Sequence, residues 1–132
     1  MISLHHTHLM ASDVDATIAF WCDHFGATVV DDFSFAGARN VFLRVGSGRL
    51  HLYDQPPKGT GPNVVHHLGI ETNELQDLVD RLTHADVSVT AVRKLPSASY
   101  AMAKGPDGVL IELFQPVPEK TSAKLRGFFE TA

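Results

Sequence analysis

Apolar and polar positions along the chain predict the same order of elements twice. Residues 2–10 alternate as a strand does, so one face carries every second side chain: Leu4, His6, His8 and Met10. Ser12 is suited to cap a helix after this strand. That helix is indicated by apolar residues at helical spacing and by a glycine that can end it: Val14, Ile18, Trp21, Phe25 and Gly26. Three more strands are predicted over 27–32, 40–45 and 49–54.

The second half repeats this order after a segment rich in proline and glycine. Residues 55–63 predict a linker, and a strand is predicted over 64–71. A helix over 74–85 carries one apolar stripe: Leu75, Leu78, Val79 and Leu82. Strands are predicted over 87–92, 99–104 and 109–115. The chain therefore predicts two β-α-β-β-β modules, 2–54 and 64–116, in one domain at 1–118, with a tail at 119–132 that can form a short helix.

The composition fits a single globular domain and excludes some partners. The chain has 132 residues, of which 44% are hydrophobic and 20% charged. Its net charge of −4 and its lack of basic clusters argue against nucleic-acid binding. No apolar run is long enough to span a membrane. Cys22 is the single cysteine, and no basic-then-apolar leader is present, so we expect a cytoplasmic protein with a small-molecule partner.

Ligand-type side chains recur at one fixed offset between the modules. His6 and His67 are 61 residues apart (67 − 6), and so are His51 and Glu112 (112 − 51). Strand alternation places His51 on one face with Arg49 and Tyr53, whereas His5 and His66 fall on the opposite faces. If each module packs its helix against one sheet face, the other faces can meet as a cup. We therefore predict an α+β fold, an open, cup-shaped mixed β barrel with the helices outside.

Four side chains are predicted to point into that cup and to bind a metal: His6, His51, His67 and Glu112. Three imidazoles and a carboxylate suit one divalent ion, which could be Zn²⁺, Ni²⁺, Co²⁺, Fe²⁺ or Mn²⁺. Without His51 the set is the two-histidine, one-carboxylate triad of non-haem Fe²⁺ oxygenases. His51 is therefore either a fourth ligand or an acid–base group beside the ion. Six further side chains are expected to bind substrate: His8, Arg49, Tyr53, Tyr100, Met102 and Phe114.

Three motifs resemble those of a known family. They are LHHTHL at 4–9, VHHLGI at 65–70 and PDGVLIEL at 106–113. With them the chain resembles the vicinal oxygen chelate superfamily over about residues 3–116. This superfamily includes glyoxalase I, extradiol dioxygenases and bleomycin-resistance proteins. By that resemblance His6, His67 and Glu112 fall on metal-ligand positions, and His51 stands where glyoxalase I has a glutamate.

The resemblance implies metal-dependent chemistry on a small oxygen-bearing molecule. A lyase or isomerase of the glyoxalase type, acting through an enediolate-type intermediate, is the first interpretation, with Glu112 or His51 moving the proton. An Fe²⁺ extradiol-type dioxygenase is the second; there a tyrosine is usual where this chain has Met102, and Tyr100 lies on the same face. A metal-free protein that binds a drug or metabolite is the third. The resemblance also implies a homodimer.

Overall fold

The computed structural model describes residues 1–2, 4–35, 37–59 and 65–129. The chain divides into two compact units, Met1–Gly61 and Pro62–Ala132. The predicted linker at 55–63 lies outside the described residues from residue 60 onward, as does the predicted strand start at residue 64. No helix in the described part is long and apolar enough to cross a bilayer.

The first unit is one mixed four-stranded sheet with one helix. Strand β1 and helix α1 open it, and the remaining strands follow: β1 (Thr7–Met10), α1 (Val14–Phe25), β2 (Thr28–Phe35), β3 (Ala38–Val45) and β4 (Gly48–Tyr53). The strand order is β1-β4-β3-β2. Strands β1 and β4 run parallel, whereas the β4–β3 and β3–β2 pairs are antiparallel. The parallel pair requires a long crossover between its strands, and α1 lies within it.

The N-cap residue of helix α1 lies one position later than the sequence predicts. Asp13, and not Ser12, is the N-cap residue: its side chain accepts a hydrogen bond from the Ala16 amide at 3.0 Å. Gly26 ends the helix as predicted, with a left-handed φ of 65° and its N–H donating to the Cys22 carbonyl at 3.2 Å. Trp21 lies on the buried side of this helix and is 1% exposed.

The second unit repeats the arrangement with a second four-stranded mixed sheet. Its elements are β5 (Leu68–Glu71), α2 (Leu75–His84), β6 (Arg93–Lys94), β7 (Ala98–Lys104), β8 (Leu110–Pro116) and α3 (Ala123–Phe129). The strand order is β5-β8-β7-β6, with β5 and β8 parallel. The predicted α+β class with two modules is therefore confirmed. Over the described residues, neither of the two four-stranded sheets is closed into a barrel.

The stripe predicted on α2 is its buried side. Its four buried residues are Leu75, Leu78, Val79 and Leu82. Each buried side chain of this size contributes about 1.5–3 kcal/mol. The first backbone amide of the helix finds its hydrogen-bond acceptor on another element: the Leu75 N–H donates to the side-chain oxygen of Gln115 on β8 at 3.0 Å. The tail helix α3 differs: its Leu125 and Phe128 are exposed.

The strand predicted over 87–92 is wrong in extent. Only Val89 forms a bridge there, with Ala103, and the regular pairing begins at β6. The reason is a side chain. The Thr90 hydroxyl accepts the Met102 amide at 3.0 Å, so a regular backbone ladder does not form at that point.

The register of the strands shows how the two units correspond. In the first sheet His51 lies between His8 and Phe42, and in the second Glu112 lies between Gly69 and Met102. The 61-residue offset therefore holds for β1/β5 and β4/β8. It becomes 60 for β3/β7 (102 − 42), because the paired residues Phe42 and His51 are nine positions apart (51 − 42), whereas Met102 and Glu112 are ten positions apart (112 − 102).

Candidate functional site

One face of the first sheet carries a row of aromatic rings. His8 and His51 are stacked with centroids 4.3 Å apart, and His51 and Phe42 are stacked at 4.4 Å. Phe33 continues the row, 5.6 Å from Phe42. The row follows from register, because His8, His51 and Phe42 are direct neighbours on β1, β4 and β3. The opposite face of this sheet is apolar and buried. The histidines therefore lie on the face that remains accessible to a ligand.

His6 lies beside this row, just before β1. Its ring centroid is 6.0 Å from that of His51. His5 contacts it edge-on, and the two Nδ1 atoms are 3.1 Å apart. The second unit repeats this contact between His66 and His67, with Nδ1 atoms 2.8 Å apart. The sequence places His5 and His66 on opposite faces but does not foresee that each would contact the adjacent ligand-type ring.

His51 is held from the side by Asn40. The His51 Nε2 atom lies 2.7 Å from the Asn40 side-chain oxygen. Burial lowers the pKa of the His51 imidazole below its ordinary value, and the nearby His8 and His6 lower it further. His51 is therefore neutral at pH 7. Sequence reasoning missed Asn40, although a polar residue inside the predicted strand 40–45 is a usable signal.

The second unit brings His67 and Glu112 together on the corresponding face. The His67 Nε2 and Glu112 Oε2 atoms are 3.5 Å apart, and the two side chains are 33% and 31% exposed. Gly69 lies opposite Glu112 on β5 and leaves the carboxylate uncovered on that side. Among the described residues, the ion-pair partner of Glu112 is thus a second ligand-type side chain.

The remaining predicted substrate residues are divided between the two sheets. Tyr53 contacts His8 edge-on at 5.5 Å, whereas the Arg49 guanidinium points to the His5 carbonyl at 3.5 Å. In the second unit Met102 is the direct neighbour of Glu112, and Tyr100 pairs with Phe114 one level further along. All six predicted substrate residues therefore lie on the strand faces that carry His51 or Glu112.

The His67–Glu112 pair fits a divalent ion. Two donor atoms that each lie about 2.1 Å from a four-coordinate ion are about 3.4 Å apart. The observed 3.5 Å separation is close to that value and is long for a direct hydrogen bond. The described residues contain no group of three or more such ligands drawn together. The Nε2 atom of His51 is already hydrogen-bonded and does not fit as a ligand atom.

The fold and these side chains define a class of protein: two β-α-β-β-β modules with histidine and carboxylate on matched strands. A family model described as the Glyoxalase/Bleomycin resistance protein/Dioxygenase superfamily matches residues 3–113. The chain belongs to this superfamily, also called vicinal oxygen chelate, as its motifs predict. A search of curated proteins found no match.

Solved structures show the same fold at low sequence identity. The trypanothione-dependent glyoxalase I of Leishmania major has a TM-score of 0.78 at 23% identity, covering 97% of this chain and 98% of that one. The fosfomycin resistance protein FosX of Listeria monocytogenes, complexed with Mn(II) and a dihydroxypropylphosphonic acid, has a TM-score of 0.76 at 18% identity, covering 91% and 97%. The antibiotic-binding protein TnmS3 of Streptomyces sp. CB03234 has a TM-score of 0.73 at 24% identity, covering 88% and 98%.

Proposed function

We propose that the protein is a divalent-metal-dependent enzyme acting on a small oxygen-bearing molecule, as a lyase or isomerase of the glyoxalase type. The observation that carries this proposal is the His67–Glu112 pair. Its two metal-binding atoms, Nε2 of His67 and Oε2 of Glu112, lie 3.5 Å apart, and both side chains are partly exposed. A carboxylate in the apolar strand β8 is costly to bury unless it is paired or metal-bound. His6 stands at the matching position of the first module and completes the proposed ligand set.

Different residues of the chain would bind the metal, transfer the proton and contact the substrate. Bound by His6, His67 and Glu112, the ion would act as a Lewis acid toward substrate oxygens. His51 is neutral at pH 7 and stands between His8 and Phe42, so it can accept a proton from a substrate carbon and return it to a neighbouring one. Glu112 is the alternative base. Tyr53, Tyr100, Met102 and Phe114 would give the substrate an aromatic and apolar surround.

An Fe²⁺ dioxygenase is the second candidate, and one observation favours it. The Asn40 oxygen occupies Nε2 of His51, and a ligand set without that atom consists of His6, His67 and Glu112, which are two histidines and one carboxylate. That is the set used by Fe²⁺ oxygenases, and it leaves His51 beside the ion as an acid–base group.

Metal content separates these functions. We would purify the protein without chelators or a nickel column and measure bound metals by plasma mass spectrometry. Zn²⁺, Ni²⁺ or Co²⁺ together with turnover of methylglyoxal and glutathione supports the lyase. Fe²⁺ together with oxygen uptake on catechols supports the dioxygenase and overturns the lyase. No bound metal, and no metal uptake on titration, overturns both and leaves a binding protein.

Members of this superfamily bind small molecules and often form dimers. We propose that this chain also forms a homodimer. Light scattering after size exclusion tests this: a mass near twice 14.4 kDa supports it, and a mass near 14.4 kDa contradicts it.

A further inference from the structure

Asn40 is a buried polar residue whose amide can adopt only one orientation. It is 6% exposed, and its Nδ2 atom lies 3.2 Å from the Ala38 carbonyl and 3.4 Å from the Phe35 carbonyl. Carbonyl oxygens only accept hydrogen bonds, so the amide nitrogen must be on that side. The reversed amide would set its oxygen against two carbonyl oxygens and lose both of these hydrogen bonds, which is costly. The Asn40 oxygen therefore faces His51.

This orientation determines which nitrogen of His51 carries the proton. The Asn40 oxygen can only accept, so the Nε2 atom 2.7 Å away must donate. In a neutral imidazole with a proton on Nε2, the lone pair belongs to Nδ1. Among the described residues, Nδ1 of His51 has no hydrogen-bond partner. Stacking against His8 on one side and Phe42 on the other resists rotation of the ring.

The second unit has no such amide at the equivalent place. Asn40 pairs with Tyr53 in the first sheet, and the corresponding pair in the second sheet is Tyr100 with Phe114. Glu112, which occupies the position of His51, is hydrogen-bonded to neither. This difference between the units affects metal binding, because a ligand nitrogen must offer a lone pair and Nε2 of His51 cannot.

We propose that Asn40 is a positioning residue that holds His51 as the Nε2–H tautomer, so that His51 meets the substrate with Nδ1 as an acid–base group and does not ligate the ion through Nε2. This rests on the proposed function for its chemical role. The tautomer itself is a property of the metal-free protein and can be measured without any activity.

The test is ¹⁵N NMR of the imidazole nitrogens in protein labelled at histidine. The His51 signals are assigned by their absence in His51→Gln. In the wild type we expect Nε2 protonated and Nδ1 unprotonated. In Asn40→Leu, which removes the acceptor at similar volume, the ratio of the Nε2–H to the Nδ1–H tautomer should fall roughly fivefold or more. A wild-type His51 protonated on Nδ1 would overturn the proposal.

A control variant separates loss of the clamp from loss of stability. Thr17 is also buried, at 4% exposed, and its hydroxyl donates to the Asp13 carbonyl far from His51 in the chain. Thr17→Val removes that buried hydrogen bond and should leave the His51 tautomer unchanged. If Thr17→Val and Asn40→Leu shift the ratio equally, the effect is general loosening and the proposal is wrong.

Zinc titration of the wild type then distinguishes the two proposals. We expect Zn²⁺ to shift the His6 and His67 nitrogens while Nε2 of His51 keeps its proton. Replacement of that proton by Zn²⁺ would refute the positioning role and leave metal binding intact. Absence of any zinc effect would refute the metal-dependent function, whereas the tautomer measured in the metal-free protein would still stand.

Discussion

Two residues at equivalent register positions of the two sheets differ in their side chain and in their surroundings. His51 and Glu112 both occupy the second strand of a parallel pair, and each faces a residue of the other strand directly. Burial of His51, followed by the nearby His8 and His6, lowers the pKa of its imidazole and favours the neutral ring. The side chain of Glu112 is 31% exposed, and its Oε2 atom lies 3.5 Å from the Nε2 atom of His67. The difference between the two modules thus lies in their neighbours.

Replacing Glu112 with Gln tests its role as a ligand. The amide keeps the shape but loses the charge, so Zn²⁺ affinity measured by calorimetry should fall by about tenfold or more. Glu71→Gln is the matched control, because Glu71 pairs with Phe114 on the same two strands and should leave the affinity unchanged. Equal affinities for wild type and Glu112→Gln would exclude the carboxylate as a ligand.

The lowered pKa of His51 predicts a pH dependence of stability. In the unfolded chain this histidine titrates near its ordinary value of 6.5, and in the folded protein it titrates lower. As pH falls through 6.5 the unfolded state binds the proton first, so stability decreases from that point down to the folded pKa. The groups facing His51 are His8, His6, Phe42 and Asn40.

Urea unfolding at pH 7.5 and 5.5 measures this effect. The loss of stability between the two pH values should be smaller in His51→Gln than in the wild type, because the titrating ring is gone. Thr17→Val, which removes a buried hydrogen bond on α1 and no titrating group, is the control and should lose as much as the wild type. An identical loss in all three proteins would show that His51 does not contribute.

At the scale of elements, helix ends depend on single residues. Gly26 has φ of 65°, and a Cβ there would meet nothing within 4 Å, so an alanine would be strained by backbone conformation alone. Gly26→Ala should lower the free energy of unfolding by about 1–2 kcal/mol in urea. Gly127→Ala is the control, since a Cβ in helix α3 is also uncrowded and its φ is not positive. A larger loss in Gly127→Ala would contradict this account.

Sequence periodicity was sufficient for the helices and for most strands. The α2 stripe and the glycine end of α1 follow from local rules that need no distant contact. The extent of the strand predicted over 87–92 depended on a contact outside that segment, the hydrogen bond from the Met102 amide to the Thr90 hydroxyl. Such contacts are made by side chains whose partners are chosen only when the sheet forms.

For the whole molecule, the proposed function predicts that metal stabilises the fold. A ligand at a hundred times its dissociation constant, bound only to the folded state, adds about 2.7 kcal/mol. For a chain of this size that corresponds to a rise in melting temperature of roughly 10 °C. Differential scanning fluorimetry with Zn²⁺, Co²⁺, Ni²⁺, Mn²⁺ and Fe²⁺ checks this, and excess chelator should reverse it. A melting temperature that no metal changes would argue for a metal-free binding protein.

The sequence by itself determined the duplication, the α+β class, the superfamily and the strand faces of His51 and Glu112. These follow from periodicity and from offsets that any extended strand must obey. Tertiary structure decided what surrounds each of those residues: the 3.5 Å approach of His67 to Glu112, and the Asn40 contact that occupies Nε2 of His51. The reason is physical, because strand alternation specifies a face, whereas a hydrogen bond depends on the distance and orientation of atoms on neighbouring strands.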